Sequence, residues 1–123
     1  MASQLLNARL EPVAIPLTRP ALLQPIITRL EHEPADDRPL EDWARFLHIS
    51  LSTLTRAFRR DLGMSFRDFR HHARLLAALE GLARGDDVTR VARSVGYRSP
   101  SMFVELFRKK LGVTPGRYFS PSR

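Results

Sequence analysis

A helix-sized pattern occurs twice in this chain of 123 residues, at an offset of 48, and that repetition restricts the fold more than any other feature. Trp43-Ala44-Arg45 recurs as Val91-Ala92-Arg93. With one residue inserted in the second copy, Ser50 then matches Ser99, Ser52 matches Ser101, and Leu54 matches Phe103. Phe58-Arg59 matches Phe107-Arg108, Leu62-Gly63 matches Leu111-Gly112, Ser65 matches Thr114, and Phe69 matches Tyr118. Each copy reads as a short helix, a tight turn, a longer helix with a hydroxyl cap, and a glycine stop. Two copies of one unit need something to join them, and the stretch between them is itself helical in pattern.

The apolar periodicity fills in the rest. Residues 1–20 are interrupted by Pro12, Pro16 and Pro20 and read as a linker, or as the tail of a preceding domain. Ala21–Glu33 carries Leu23, Ile26, Ile27 and Leu30 at helical spacing, with Pro25 acceptable in a first turn. Residues 33–38 form a loop, so 21–38 is a leading helix and loop ahead of the main domain at 39–123. Pro39 suits the first position of a helix that turns Leu40, Trp43, Ala44 and Leu47 to one face. Ser50 caps the next helix, which Gly63 ends in a left-handed conformation.

Ser65 caps a long helix to about Arg84, with Phe66, Phe69, Ala73, Leu76 and Leu79 inward. The second copy follows as Val88–Val95, a turn at Gly96, a helix from Pro100 to Leu111 capped by Ser99, and a short helix opened by Pro115. Nothing reads as a strand. The expected fold is all-α: about seven helices, with two helix-turn-helix units joined by a long central helix.

In such a unit the second helix is the one that can enter a major groove. In the first copy Leu54, Phe58 and Leu62 point inward, while Ser52, Thr55, Arg56 and Arg59 share the opposite face at i, i+3, i+4 and i+7. Arginine can bond guanine bidentately, and serine or threonine can bond bases or phosphates. A plain solvated face would look the same in a single unit. Its repetition in a basic chain favours DNA.

The second copy leaves Ser101, Val104, Glu105 and Arg108 outward, with Met102 near the helix start. Met102 and Val104 could meet a thymine methyl. Glu105 could accept from cytosine N4 or repel phosphate, and both readings stay open.

Charge supports a polyanionic partner. Residues 1–37 carry three arginines against five carboxylates, whereas 38–123 carry 15 Arg and 2 Lys against eight. A basic domain of this kind gains affinity for nucleic acid by counterion release. Cysteine is absent, which excludes disulfide and thiolate chemistry. No signal peptide or membrane-length apolar run is present in the sequence, and a cytoplasmic location is expected.

Residues 39–119 resemble the C-terminal DNA-binding domain of the AraC/XylS (arabinose-regulator) transcription factors. The resemblance is carried by Ala92, Gly96-Tyr97, Ser99-Pro100-Ser101, Phe103, Phe107-Arg108, Gly112, Pro115 and Tyr118, within the run Val91 to Tyr118. The Ser-Pro-Ser-x-Phe and Trp43-Ala44 forms look closest to members with a cupin-like N-terminal sensing domain. The resemblance implies a seven-helix domain that binds double-stranded promoter DNA and often activates transcription through RNA polymerase. It also implies an upstream domain that binds a small-molecule effector and dimerises.

By position, the resemblance assigns Ser52, Thr55 and Arg56 to bases and Thr53 to phosphate in the first unit. It assigns Ser101, Met102, Val104 and Glu105 to the second. With Arg59, Arg98 and Arg108, these residues make up the expected DNA-contact set. Two departures stand out: Glu105 where the family often has arginine, and His48 where it commonly has glycine.

His71 and His72 do not suggest a metal site, because adjacent helical positions diverge and no carboxylate or cysteine completes a ligand set, so they read as solvated. No phosphate loop, nucleophile elbow or carboxylate pair is present. Neither a cofactor nor enzymatic activity is expected. The competing readings are a protein-interaction module docking on RNA polymerase and a sequence-indifferent architectural DNA binder. The uncharged Ser52 and Thr55 beside Arg56 argue mildly against the second.

Overall fold

The computed structural model describes residues 21–119. The expected linker at 1–20 lies outside that range, as do the last four residues. Seven α-helices and no strand are found among the described residues: α1 Gln24–His32, α2 Leu40–Leu47, α3 Leu51–Leu62, α4 Phe66–Ala83, α5 Val88–Ser94, α6 Pro100–Leu111 and α7 Pro115–Tyr118. None of these helices is long and apolar enough to cross a membrane.

Local chemistry sets most helix ends. Ser50, Ser65, Asp87 and Thr114 each accept a hydrogen bond from the backbone N–H three residues on, satisfying a donor that the first turn leaves free. Ser99 is in the capping position but makes no such bond, and its hydroxyl pairs with that of Ser101 at 2.6 Å. Pro39 proves to be the N-cap of α2 rather than its first residue. Its extended ψ of 159° places it just outside the helix. His48 closes α2 at φ 59°, the left-handed geometry for which glycine is usual. A histidine there carries some strain, and the fold accepts it.

Two separate apolar cores form, and α4 belongs to both. The first gathers Leu23, just before α1, and Ile26, Ile27 and Leu30 within it, with Trp43, Leu54, Phe58, Phe69 and Ala73. The leading helix is thus part of the first unit's core rather than an appendage ahead of it. The second core holds Leu75, Ala78, Leu79 and Leu82 with Val91, Tyr97, Phe103 and Phe107.

The inward stripe expected for α4 is therefore only partly realised. Phe69, Ala73 and Leu79 are buried, but Phe66 and Leu76 are half-covered, and Leu75, Ala78 and Leu82 are buried as well. The helix turns one face to the first unit along its N-terminal half and another to the second beyond Ala73, so no single stripe describes it.

Candidate nucleic-acid interface

The cap at Ser50 sets the geometry of the first outward face. Its Oγ accepts from Thr53 N–H at 3.1 Å and donates to Thr53 Oγ1 at 2.7 Å, so the start of α3 is tied together. Burial of Leu54, Ala57, Phe58 and Leu62 then fixes the rotation of the helix. Ser52, Thr53, Thr55, Arg56 and Arg59 are left exposed together, beside a shallow depression lined by Thr55, Arg56, Arg59 and Arg60. Arg60 is paired with Asp61 at 2.9 Å, which holds that carboxyl below its usual range. Arg56 and Arg59 have no ion pair among the described residues. This face offers two uncommitted guanidinium groups flanked by hydroxyls.

The outward face of α6 is chemically different. Ser101, Met102, Glu105 and Arg108 are exposed, and Met102 is among the most exposed large apolar side chains described. Val104 is not fully outward. It is half-buried against the second core, which shortens its reach. Arg108 donates from Nη2 to both Glu105 oxygens, at 2.7 and 3.1 Å, one helical turn away. The carboxylate so positioned neutralises the cation on its own helix. Arg98, in the turn before α6, is exposed.

Beside α6 runs an open cleft toward α4, lined by Arg67, His71, Tyr97, Met102, Leu106 and Lys109. An adjoining hollow is lined by Arg67, Asp68, Lys109 and Lys110. Arg67 carries no signal of its own in the sequence, because it lies in neither repeat's second helix. His71 departs from the solvated state expected of it. Its ring stacks on Tyr97 at 6.0 Å, and its Nδ1 is 2.9 Å from the Tyr97 hydroxyl. Burial, followed by the nearby Arg67 and Arg74 charges, holds the imidazole below its ordinary pKa. Burial also pushes the Tyr97 phenol up to about 12, so it stays a hydrogen-bonding group at any physiological pH.

The same arrangement of helices recurs in known proteins. A family model described as a helix-turn-helix domain matches residues 43–120, spanning both repeats. The chain belongs to the AraC-type helix-turn-helix family of DNA-binding transcription regulators. This is a family of regulators rather than enzymes.

Among its relatives is the HTH-type transcriptional regulator NimR of Escherichia coli K12, 35% identical over 86% of this chain and 39% of that protein. RipA of Corynebacterium glutamicum is 32% identical over 84% of this chain and 31% of that protein. The chain thus spans less than half the length of these relatives. Similar solved structures include the C-terminal domain of the response regulator AraT from Geobacillus stearothermophilus, at TM-score 0.72 and 29% identity. That match covers 80% of this chain and 84% of AraT's. A DNA-binding transcriptional dual regulator from Escherichia coli K-12 matches at TM-score 0.70 and 30% identity, over 81% of this chain and 96% of that one.

Proposed function

We propose that this chain recognises a specific double-stranded promoter sequence, with α3 and α6 reading successive major grooves on one face of the duplex. The observation that carries the reading is the pair of exposed second helices, one bearing Arg56 and Arg59, without an ion pair among the described residues, beside Ser52 and Thr55. Helix α4, at 18 residues and about 1.5 Å per residue, is about 27 Å long. That length is of the order of the ~34 Å between successive major grooves. Arg56 and Arg59 supply guanine recognition, while Thr53, Arg98 and Arg108 face phosphate. The pairing of Arg108 with Glu105 makes α6 the weaker reader, with Met102 and Ser101 offering apolar and hydroxyl contacts.

In the longer protein, an upstream sensing domain would supply effector binding and dimerisation, and contact with RNA polymerase would supply activation. Fluorescence anisotropy on the protein's own upstream DNA and on a scrambled duplex, over a salt series, tests the reading. A preference of about a hundredfold or more is expected for the native sequence. Equal affinities falling together with salt would leave an electrostatic architectural binder. No binding to either duplex at low salt would leave a docking module.

A further inference from the structure

Arg74 is the one charged residue buried among the described residues, with 6% of its surface exposed. It stands in α4 between Ala73, where the first core ends, and Leu75, where the second begins. Its guanidinium reaches both units. Toward the first, Nε donates to Pro34 O at 2.7 Å, while Nη2 donates to Asp36 O at 3.2 Å and to Asp37 Oδ1 at 2.8 Å. Toward the second, Nη1 lies 3.5 Å from Gly96 O in the turn before α6, and the guanidinium is 5.6 Å from the Tyr97 ring centre.

Gly96 is shaped around this contact. It has φ 109°, and a Cβ there would lie 2.7 Å from the guanidinium carbon. Asp36, in the clamped loop, is itself fixed. Burial opposes its ionisation, but hydrogen bonds from Arg29 Nε and from Arg38 N–H outweigh that and hold its pKa below the usual value.

The two units share a helix but no apolar core, so their mutual rotation depends on α4 and on what bridges across it. We propose that Arg74 is a positioning residue that sets the orientation of α6 relative to α3, and thereby the spacing between the two half-sites that the chain accepts. The planar five-donor fork is the reason arginine suits this place: it reaches four acceptors on both sides of α4, one more than the three N–H groups of a lysine could serve. The proposal rests on the two-reader function above. One base pair of added spacing turns a half-site by about 34° and moves it about 3.4 Å, so a rigid pair of readers must discriminate it.

The test is a ladder of duplexes carrying the two boxes of a selected binding sequence, separated by zero, one or two extra or missing base pairs, together with each box alone. Wild-type, Arg74→Gln and Arg74→Lys are titrated on each. Wild-type affinity should fall on the order of tenfold per displaced base pair. In the variants this penalty should shrink to within about threefold, with single-box affinities unchanged. Because the Arg74 variants risk unfolding, Asp37→Ala is run alongside, since Asp37 is exposed, and it should relax the ladder in the same direction. A folded variant that keeps the full wild-type penalty overturns the role of Arg74. A flat wild-type ladder instead overturns the two-reader function, so the two failures are told apart.

Discussion

The two helix-turn-helix units share a plan and differ in what they present. In the first, α3 is capped through Ser50, and Arg56 and Arg59 are free of ion pairs among the described residues. In the second, Ser99 makes no cap bond to the backbone, Arg108 is held by Glu105, and Val104 is half withdrawn into the core. The repeat preserves the packing residues, Phe58 against Phe107 and Gly63 against Gly112, and lets the outward ones diverge. Packing sets the fold in both units, whereas the outward chemistry differs enough that, under the proposed function, α3 would read strongly and α6 weakly.

The largest effect should come from separating the cores. Phe58 and Phe107 are both fully buried. Truncation of either to alanine is expected to cost about 3–5 kcal/mol. Because the cores are distinct, Phe107→Ala should raise amide exchange in α5, α6 and α7 well before α1 to α3. Uniform acceleration across the chain would show one cooperative core and remove the comparison. Next in size is the contrast between the readers. Arg56→Ala should weaken specific binding by about 1–3 kcal/mol and relax base preference beneath α3. Glu105→Gln should instead free Arg108, strengthening binding to any sequence and steepening the salt dependence by about one counterion. Equal losses from both substitutions in the same titration would mean that α6 reads bases as strongly as α3.

The helix caps carry smaller effects. Ser50→Ala should lower stability by about 1 kcal/mol, and Ser99→Ala by clearly less, in chemical denaturation. The smallest effect is pH-dependent and confined to the second unit. Burial holds the His71 imidazole below its ordinary pKa, so its titration leaves stability unchanged above the unfolded value of about 6.5. As pH falls below that value the unfolded chain takes up the proton first, and stability declines until the folded pKa is reached. His71→Gln should flatten this slope in melts between neutral and mildly acidic pH. An unchanged slope would assign it to another group.

Much of this was legible in the sequence, for definable reasons. A repeat at an offset of 48, four hydroxyl or carboxyl caps and the glycines at 63 and 112 encode helix ends locally, and local signals survive without a structure. What was illegible depends on distant partners. The use of both faces of α4 hides Leu75, Ala78 and Leu82 from a one-stripe reading. Arg74 reads as a solvent-facing charge because the carbonyls that satisfy it come from residues 22 to 40 positions away. His71 is drawn in by Tyr97, 26 positions on. The Glu105–Arg108 pair was readable as an i, i+3 spacing, and its consequence, a self-neutralised outward face, follows from the geometry.

The asymmetry between the readers is tested most directly by a single-base substitution scan across the selected binding sequence, titrated with the wild-type chain at fixed salt. Two boxes about one helical turn apart are expected, with penalties of about 1–3 kcal/mol per base pair beneath α3 and markedly smaller ones beneath α6. Equal penalties in both boxes, or a single box, would contradict it.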